Sequence, residues 1–199
     1  MKAGWEVKPL EEVCVFENGD RGKNYPGRAC FVSEGVPFIN AGLVDDGEIL
    51  WDGMNFIPED RFELLSRGKI KSGDFLFCLR GSLGKFGHYV SDKPAAIASS
   101  LVIIRPRADV LPAFFAYYLR SEGCASEIDR LAAGAAQPNL GANDLKRFEI
   151  PIPPLEEQKQ IVAVLDAAFE GLTRAKENAE ANLQNARELF ERQMASAFS

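Results

Sequence analysis

GAAQPNLGANDLKRFEIPIPPLEEQKQIVAVLDAAFEGLTRAKENAEANL, residues 134–183, contains the change of period on which the fold turns. Up to Pro153 and Pro154 the side chains alternate, with Phe148, Ile150 and Ile152 set against Glu149 and Pro151. A repeat of two marks a half-buried strand. Beyond the prolines, Ile161, Leu165, Ala168, Leu172, Ala175, Ala179, Leu183, Ala186, Phe190 and Ala197 recur every three or four residues, with one gap of seven. That spacing puts them on one stripe of a helix. Pro154 suits the first helical position, and Glu156 and Glu157 then lie where the helix dipole favours acids. The pattern predicts a mixed domain over residues 1–153 and one long helix over residues 154–199.

From residue 155 to residue 198 such a helix measures about 65 Å. A helix of that length cannot bury its stripe on its own domain, and alone in water it is poorly stable. The stripe therefore predicts a partner helix. Its many alanines permit close helix approach and do not spell a strict leucine zipper.

The 199 residues are 46% hydrophobic and 26% charged, ordinary for a globular chain, and leave room for one domain plus an extension. The opening MKAGWEVKPL lacks the layout of a signal peptide. The longest apolar run, residues 95–104, is broken by Ser99 and Ser100 and falls well short of the roughly 20 residues that span a bilayer. A cytoplasmic location is expected. Cys14, Cys30, Cys78 and Cys124 are widely separated and His88 is the single histidine. No metal site is expected; the cysteines read as small buried hydrophobes with free thiols. The net charge is −6, divided as −3 over residues 1–150 and −3 over residues 151–199. Any nucleic-acid surface must be a local basic patch on an acidic body.

Taken in order, Trp5 and Val7 read as a strand and residues 10–16 as a short helix. Residues 17–30, with three glycines, a proline and two asparagines, form a loop that presents Arg21, Lys23, Asn24, Tyr25 and Arg28. Residues 35–40 read as a strand, and Asp45-Asp46-Gly47 as a turn. A helix follows over residues 58–65, then the basic run with Arg67, Lys69 and Lys71. Residues 75–79 form a buried strand, and a glycine-spaced loop carries Arg80, Ser82 and Lys85. Strands over 88–90 and 95–105, helices over 112–120 and 125–133, and a short turn N-capped by Asn143 complete the domain. Gly134 is the expected cap of the second helix. With no regular βαβ alternation, the fold class is α+β: a twisted, mostly antiparallel sheet with marginal helices, followed by one long C-terminal helix.

Catalytic signatures are missing. Neither a Rossmann-type glycine loop nor the Pro-Pro-Tyr loop of an amino-methyltransferase occurs, and the phosphate-cradling G-x-x-x-x-G-K-[ST] pattern is absent. A lone histidine without G-x-S-x-G does not support serine hydrolysis, and paired acids such as Asp45-Asp46 and Glu59-Asp60 are more often solvated than catalytic. What remains is binding chemistry. Arg21, Lys23, Arg67, Lys69, Lys71, Arg80 and Lys85 cluster on loops beside Asn24, Tyr25 and Ser82, residue types that contact phosphates and base edges. Any one of these cations could equally be a solvated surface charge. The residues alone leave a binding module, with DNA among its candidate ligands.

Three segments resemble a known family. G-A-A-Q-P-N-L (residues 134–140) followed by I-P-I-P-P-L-E-E-Q-K-Q-I (residues 150–161) resembles the specificity subunits of type I restriction–modification systems. W-E-V-K-P-L-E-E-V (residues 5–13) resembles the opening of their target recognition domains, and S-G-D-F-L-F-C-L-R-G-S-L-G-K (residues 72–85) their central strand and loop. The resemblance covers essentially the whole chain. It implies a non-catalytic reader of double-stranded DNA that directs modification methyltransferase subunits, and restriction subunits where the system has them. S-adenosylmethionine would then belong to the methyltransferase and ATP to the restriction subunit, with no cofactor on this chain. Family members carry two recognition domains and two long helices, whereas one of each is found here. The expectation is a half-subunit that pairs with a second copy through Ile161, Leu165, Ala168, Leu172, Ala175, Ala179, Leu183, Ala186 and Phe190. The alternative is a fragment that reads no DNA and competes with a full-length specificity subunit for assembly.

Overall fold

The structure, a computed structural model, describes residues 4–132 and 139–198. Gly134 and the Gln137-Pro138 part of the Q-P-N-L motif lie outside the described residues. In chain order the elements are β1 (Glu6–Pro9), α1 (Leu10–Val13), β2 (Cys14–Asn18), β3 (Val36–Ile39), β4 (Val44–Asp45), β5 (Glu48–Ile49), β6 (Asn55–Ile57), α2 (Glu59–Glu63), β7 (Asp74–Cys78), β8 (Phe86–Tyr89), β9 (Ala96–Ile97), β10 (Leu101–Pro106), α3 (Pro112–Arg120), α4 (Glu122–Ala132), α5 (Ala142–Leu145), β11 (Glu149–Ile152) and α6 (Leu155–Ala197). This is the α+β class the sequence predicts. Two compact units divide the chain, Met1–Gln158 and Lys159–Ser199.

The first unit is built on β7. Its residues Phe75, Leu76, Phe77 and Cys78 are all buried, so both of its faces are covered and the strand reads as an unbroken apolar run. It lies third in an antiparallel sheet ordered β2-β10-β7-β8. Leu76 and Cys78 face a core with Ile39, Ile97, Leu101 and Ile103. On the opposite face Phe75 meets the Phe115 ring edge-on at 5.0 Å, which seats α3. A smaller sheet, β6-β3-β9, contains the parallel pair β3–β9; the other strand pairs described are antiparallel. At the start of β7, Asp74 is fully buried and takes a two-pronged contact from Arg105, at 2.6 and 2.7 Å. Such a pair is tolerable inside a protein because both charges are matched and hydrogen-bonded.

The alternating segment before the two prolines forms β11. Phe148, Ile150 and Ile152 are buried while Glu149 is exposed. It pairs antiparallel with β1, Lys8 opposite Ile150, so the first and last strands of the unit close on each other. Pro154 stands immediately before α6, and its carbonyl accepts from the Glu157 and Gln158 amides. Gln158 is fully buried. Its Oε1 accepts from the Leu111 amide at 2.9 Å, and its Nε2 donates to the Asp109 and Pro153 carbonyls, each at 2.9 Å.

Several local expectations are corrected. The helix expected over residues 10–16 ends at Val13, because Cys14–Asn18 joins the main sheet as a strand. The strand expected over 95–105 breaks at Ser99-Ser100: β9 pairs with β3, β10 pairs with β7, and the turn between them lets one apolar run serve two sheets. β6, only three residues long, shows no period of its own in the sequence and is a strand through its pairing with β3. Asn143 is not the cap of α5; Gly141 holds that position, and the Asn143 side chain accepts from Lys146 Nζ at 3.4 Å.

The second unit continues α6, a helix of 43 residues in all. Leu172, Leu183 and Phe190 on its stripe are 64%, 55% and 65% exposed, a degree of exposure that leaves most of their apolar surface in water. Its polar faces carry Glu170–Arg174 at 3.1 Å and Lys176–Glu180 at 4.0 Å, both at i,i+4 spacing. Such pairs stabilise an isolated helix by only a few tenths of a kcal/mol each. No helix among the described residues is long and apolar enough to cross a membrane.

Candidate nucleic-acid interface

Three backbone segments meet at the top of the β2-β10-β7-β8 sheet, and carboxylates hold them together. Asp20, 4% exposed, accepts from the Gly22 amide at 2.6 Å, the Ser66 amide at 2.8 Å and the Ser66 hydroxyl at 2.9 Å. These donors, with the Gly22 amide foremost, hold its carboxyl below the usual carboxylate range. Glu17 Oε1 accepts from the Gly68 amide at 2.6 Å. The loops then touch backbone to backbone: a Cβ on Gly19 would stand 2.8 Å from the Ala98 carbonyl oxygen, and one on Gly68, whose φ is +79°, 2.9 Å from the Gly19 Cα. Only glycine permits that approach. The Ser99 turn completes the joint, its carbonyl accepting from Arg21 Nη2 at 3.2 Å and its amide donating to the Tyr25 hydroxyl at 3.4 Å.

This joint brings Arg21, Arg67 and Arg80 to one cleft of about 560 Å³. Asn18, Asn139 and Asn143 line it with them, and Asp144 is the single carboxylate on its walls. Arg80 donates from Nε to Asn139 Oδ1 at 3.2 Å, which leaves its two terminal nitrogens for a ligand. The Arg80–Asn139 bridge and the bond from the Leu140 amide to the Leu79 carbonyl, 3.0 Å, attach the segment before α5 to the end of β7. Three guanidiniums against one carboxylate give a local excess of positive charge on a chain whose total is −6. Guanidinium forks suit phosphate oxygens, and carboxamides suit base edges.

The other expected residues fall elsewhere. Lys69 Nζ donates to the Glu63 carbonyl at 3.1 Å, faces the Glu63 carboxylate at 3.6 Å and lies over the Phe62 ring. Lys85 is paired with Asp45 at 3.0 Å. Lys23, Lys71 and Ser82 are exposed, and none of them lines the cleft. Asn24 spends its amide on the Leu64 carbonyl at 3.1 Å, tying the first loop to the second. Tyr25 belongs to a separate recess with Phe31 and Phe38. Asn18, Asn139 and Asn143 were not among the expected ligands. Asn139 stands in the Q-P-N-L motif, whereas Asn18 carries no signal beyond an Asn-Gly step at the end of a strand.

Groups with catalytic potential are placed differently. His88 is stacked on Phe75 with ring centroids 4.3 Å apart, and its Nε2 is buried without a hydrogen-bond partner. Burial holds its pKa below the ordinary value. Cys14, Cys78 and Cys124 are buried free thiols, each pushed up to about 12 by loss of solvent; Cys30 is half-buried. Among the described residues no group of three or more His, Cys, Asp or Glu could hold a metal ion.

Residues 2–183 match the family model for the type I restriction modification DNA specificity domain. The chain belongs to that family. Among its specificity-subunit relatives, the type I restriction enzyme MjaVIII specificity subunit of Methanocaldococcus jannaschii is 30% identical over 161 residues, covering 78% of this chain and 37% of that protein. The EcoKI specificity subunit of Escherichia coli is 25% identical over 167 residues, covering 82% of this chain and 36% of that protein. A solved chain of the type I R-M system superposes with a TM-score of 0.66 at 25% identity, covering 93% of this chain and 44% of its own. The HsdS subunit from Thermoanaerobacter tengcongensis shares the fold, with a TM-score of 0.64 at 24% identity over 87% of this chain and 39% of its own. The specificity domain described here thus spans less than half the length of the relatives it matches.

Proposed function

We propose that this chain is the DNA-reading element of a type I restriction–modification assembly, and that a duplex backbone seats across the cleft of Arg21, Arg67 and Arg80. The observation that carries the reading is the meeting of three arginines and three asparagines from four separate segments on an acidic chain. The element performs no chemistry of its own. It works in the cytoplasm and directs methyltransferase subunits, which hold S-adenosylmethionine, and restriction subunits using ATP where the system has them. Two copies pair through α6, so that two identical domains read an inverted-repeat site; the largely exposed stripe at Leu172, Leu183 and Phe190 supports that pairing. Retention of duplex DNA by the full chain, with and without the methyltransferase subunit, tests the reading. Sequence-dependent retention is expected. Absence of DNA affinity in both settings refutes it in favour of a fragment that only competes for assembly.

A further inference from the structure

Trp51 stands 52% exposed on the first compact unit. Its backbone is held: the Leu50 amide donates to the Leu43 carbonyl at 2.8 Å, and the Trp51 carbonyl accepts from the Met54 amide at 3.3 Å. Trp51 and Ser91 line two adjoining grooves, of about 400 and 580 Å³. Ile49 and Val90, the latter 74% exposed, wall the first, and Val36, Phe56 and Pro94 wall the second. A large aromatic ring left in water among apolar walls is the mark of a contact surface. This face lies at the far end of the β7–β8 pair from the arginine cleft. Tyr89, beside Val90, pairs with Asp74 at the start of β7, whereas Arg80 follows the end of that strand.

The charges around Trp51 are acidic and free. Glu48 and Glu59 line the grooves, and Asp52 and Asp92 adjoin Trp51 and Ser91 in the chain. None of these four carboxylates has an ion-pair or hydrogen-bond partner among the described residues, although Asp45, Asp46 and Glu63 are each paired with a cation. Lys93 is the one lysine or arginine among the described residues of the groove walls. Such a rim repels phosphate, so duplex DNA does not seat here. A second copy related by a twofold would set carboxylates against carboxylates. A basic partner satisfies the apolar and the charged parts together. We propose that this face docks a protein segment in which two apolar side chains, one for each groove, are flanked by lysine or arginine. Burial of the indole between them supplies most of the affinity, while the exposed carboxylates steer the encounter and add little each. The face stands apart from the arginine cleft, so both can be occupied at once.

A library of randomised peptides panned on the full chain, with Trp51→Ala as the counter-selection, supplies the probes. Peptides that require Trp51 are expected, with paired apolar residues between lysines or arginines. With fluorotryptophan incorporated, the two tryptophans of the chain give two fluorine resonances, which Trp51→Phe assigns. A selected peptide should move the Trp51 resonance and leave that of Trp5 in place. Trp51→Ala should weaken peptide binding about thirtyfold, and Glu48→Gln with Glu59→Gln about threefold at low salt. These side chains are exposed, and a thermal melt verifies that the variants keep the fold. Saturation with duplex DNA should leave peptide binding unchanged. Failure to recover any Trp51-dependent peptide overturns the proposal, as do Trp51-dependent peptides with acidic or neutral flanks. A Trp51 resonance that moves on addition of duplex, or with chain concentration alone, also overturns it and gives the face to DNA or to a second copy.

Discussion

Gln158 is the last residue of the P-P-L-E-E-Q motif, and its buried amide makes a sharp quantitative prediction. Gln158→Ala removes one acceptor and two donors at once. It strands the Leu111 amide and the Asp109 and Pro153 carbonyls, each bonded to Gln158 at 2.9 Å. The bond to Pro153 is fully buried and those to Leu111 and Asp109 are partly so. With about 1–3 kcal/mol for the buried orphan and about 1 kcal/mol for each of the others, the loss is about 3–5 kcal/mol. For a unit of this size that corresponds to a fall in Tm of about 6–20 °C. Urea denaturation followed by tryptophan fluorescence reads it directly. Trp5 and Trp51 both lie in the first compact unit, and Trp5 donates to Glu157 at 3.1 Å, one residue from the substitution. The midpoint should drop with the slope unchanged. Gln158→Glu adds a signature of its own. At neutral pH its carboxylate would face two carbonyl oxygens with no proton to give, whereas protonation at low pH restores one donor. That variant should therefore regain stability as pH falls, opposite to Gln158→Ala. A loss under 1 kcal/mol for Gln158→Ala, or a pH-independent Gln158→Glu, refutes the account of this junction.

Other outcomes follow from the same geometry. Asp20→Ala should cost about 3 kcal/mol through three lost hydrogen bonds, about 1 kcal/mol each, and weaken DNA binding through Arg21 and Arg67 together, read by denaturation and by fluorescence anisotropy. The Asp20 carboxyl sits below its unfolded value, so its contribution is present above about pH 4 and lost as pH falls through the lowered folded value. His88 also has a depressed pKa. The unfolded chain takes up the proton first, so stability should decline as pH falls below about 6.5, and a His88→Phe variant should flatten that slope in a pH series of urea midpoints. Leu172→Asp with Phe190→Asp should convert the paired species to a monomer in light scattering at micromolar concentration; a wild-type chain that is already monomeric refutes the pairing.

The sequence exposed whatever was local and periodic. The alternation through Phe148, Ile150 and Ile152, the apolar run of β7 and the helical stripe from Ile161 each declared their element, because burial on one face repeats every two or three to four residues. The division of residues 95–105 between two sheets was hidden, since Ala95–Ala98 and Leu101–Ile104 are alike apolar and the break depends on which strands lie beside them. The site was half legible for the same reason. Arg21, Arg67 and Arg80 matched Lys69 and Lys85 in kind, and only long-range contacts separate them: Glu63 and Asp45 occupy the two lysines, while Asp20 and Glu17 tie the Arg67 loop to the Arg21 loop. Asn139 met Arg80 across 59 residues of chain, a pairing no spacing rule encodes.

A DNA backbone seated on Arg21, Arg67 and Arg80 must show itself in the salt dependence of binding. Each phosphate contact contributes about 0.9 to the slope of log affinity against log salt. Arg21→Ala, Arg67→Ala and Arg80→Ala should each lower that slope by about 0.9 per chain bound, and the triple variant by about 2.7, with Lys69→Ala and Lys85→Ala as near-silent controls. A triple variant that binds DNA with the wild-type slope would contradict the account.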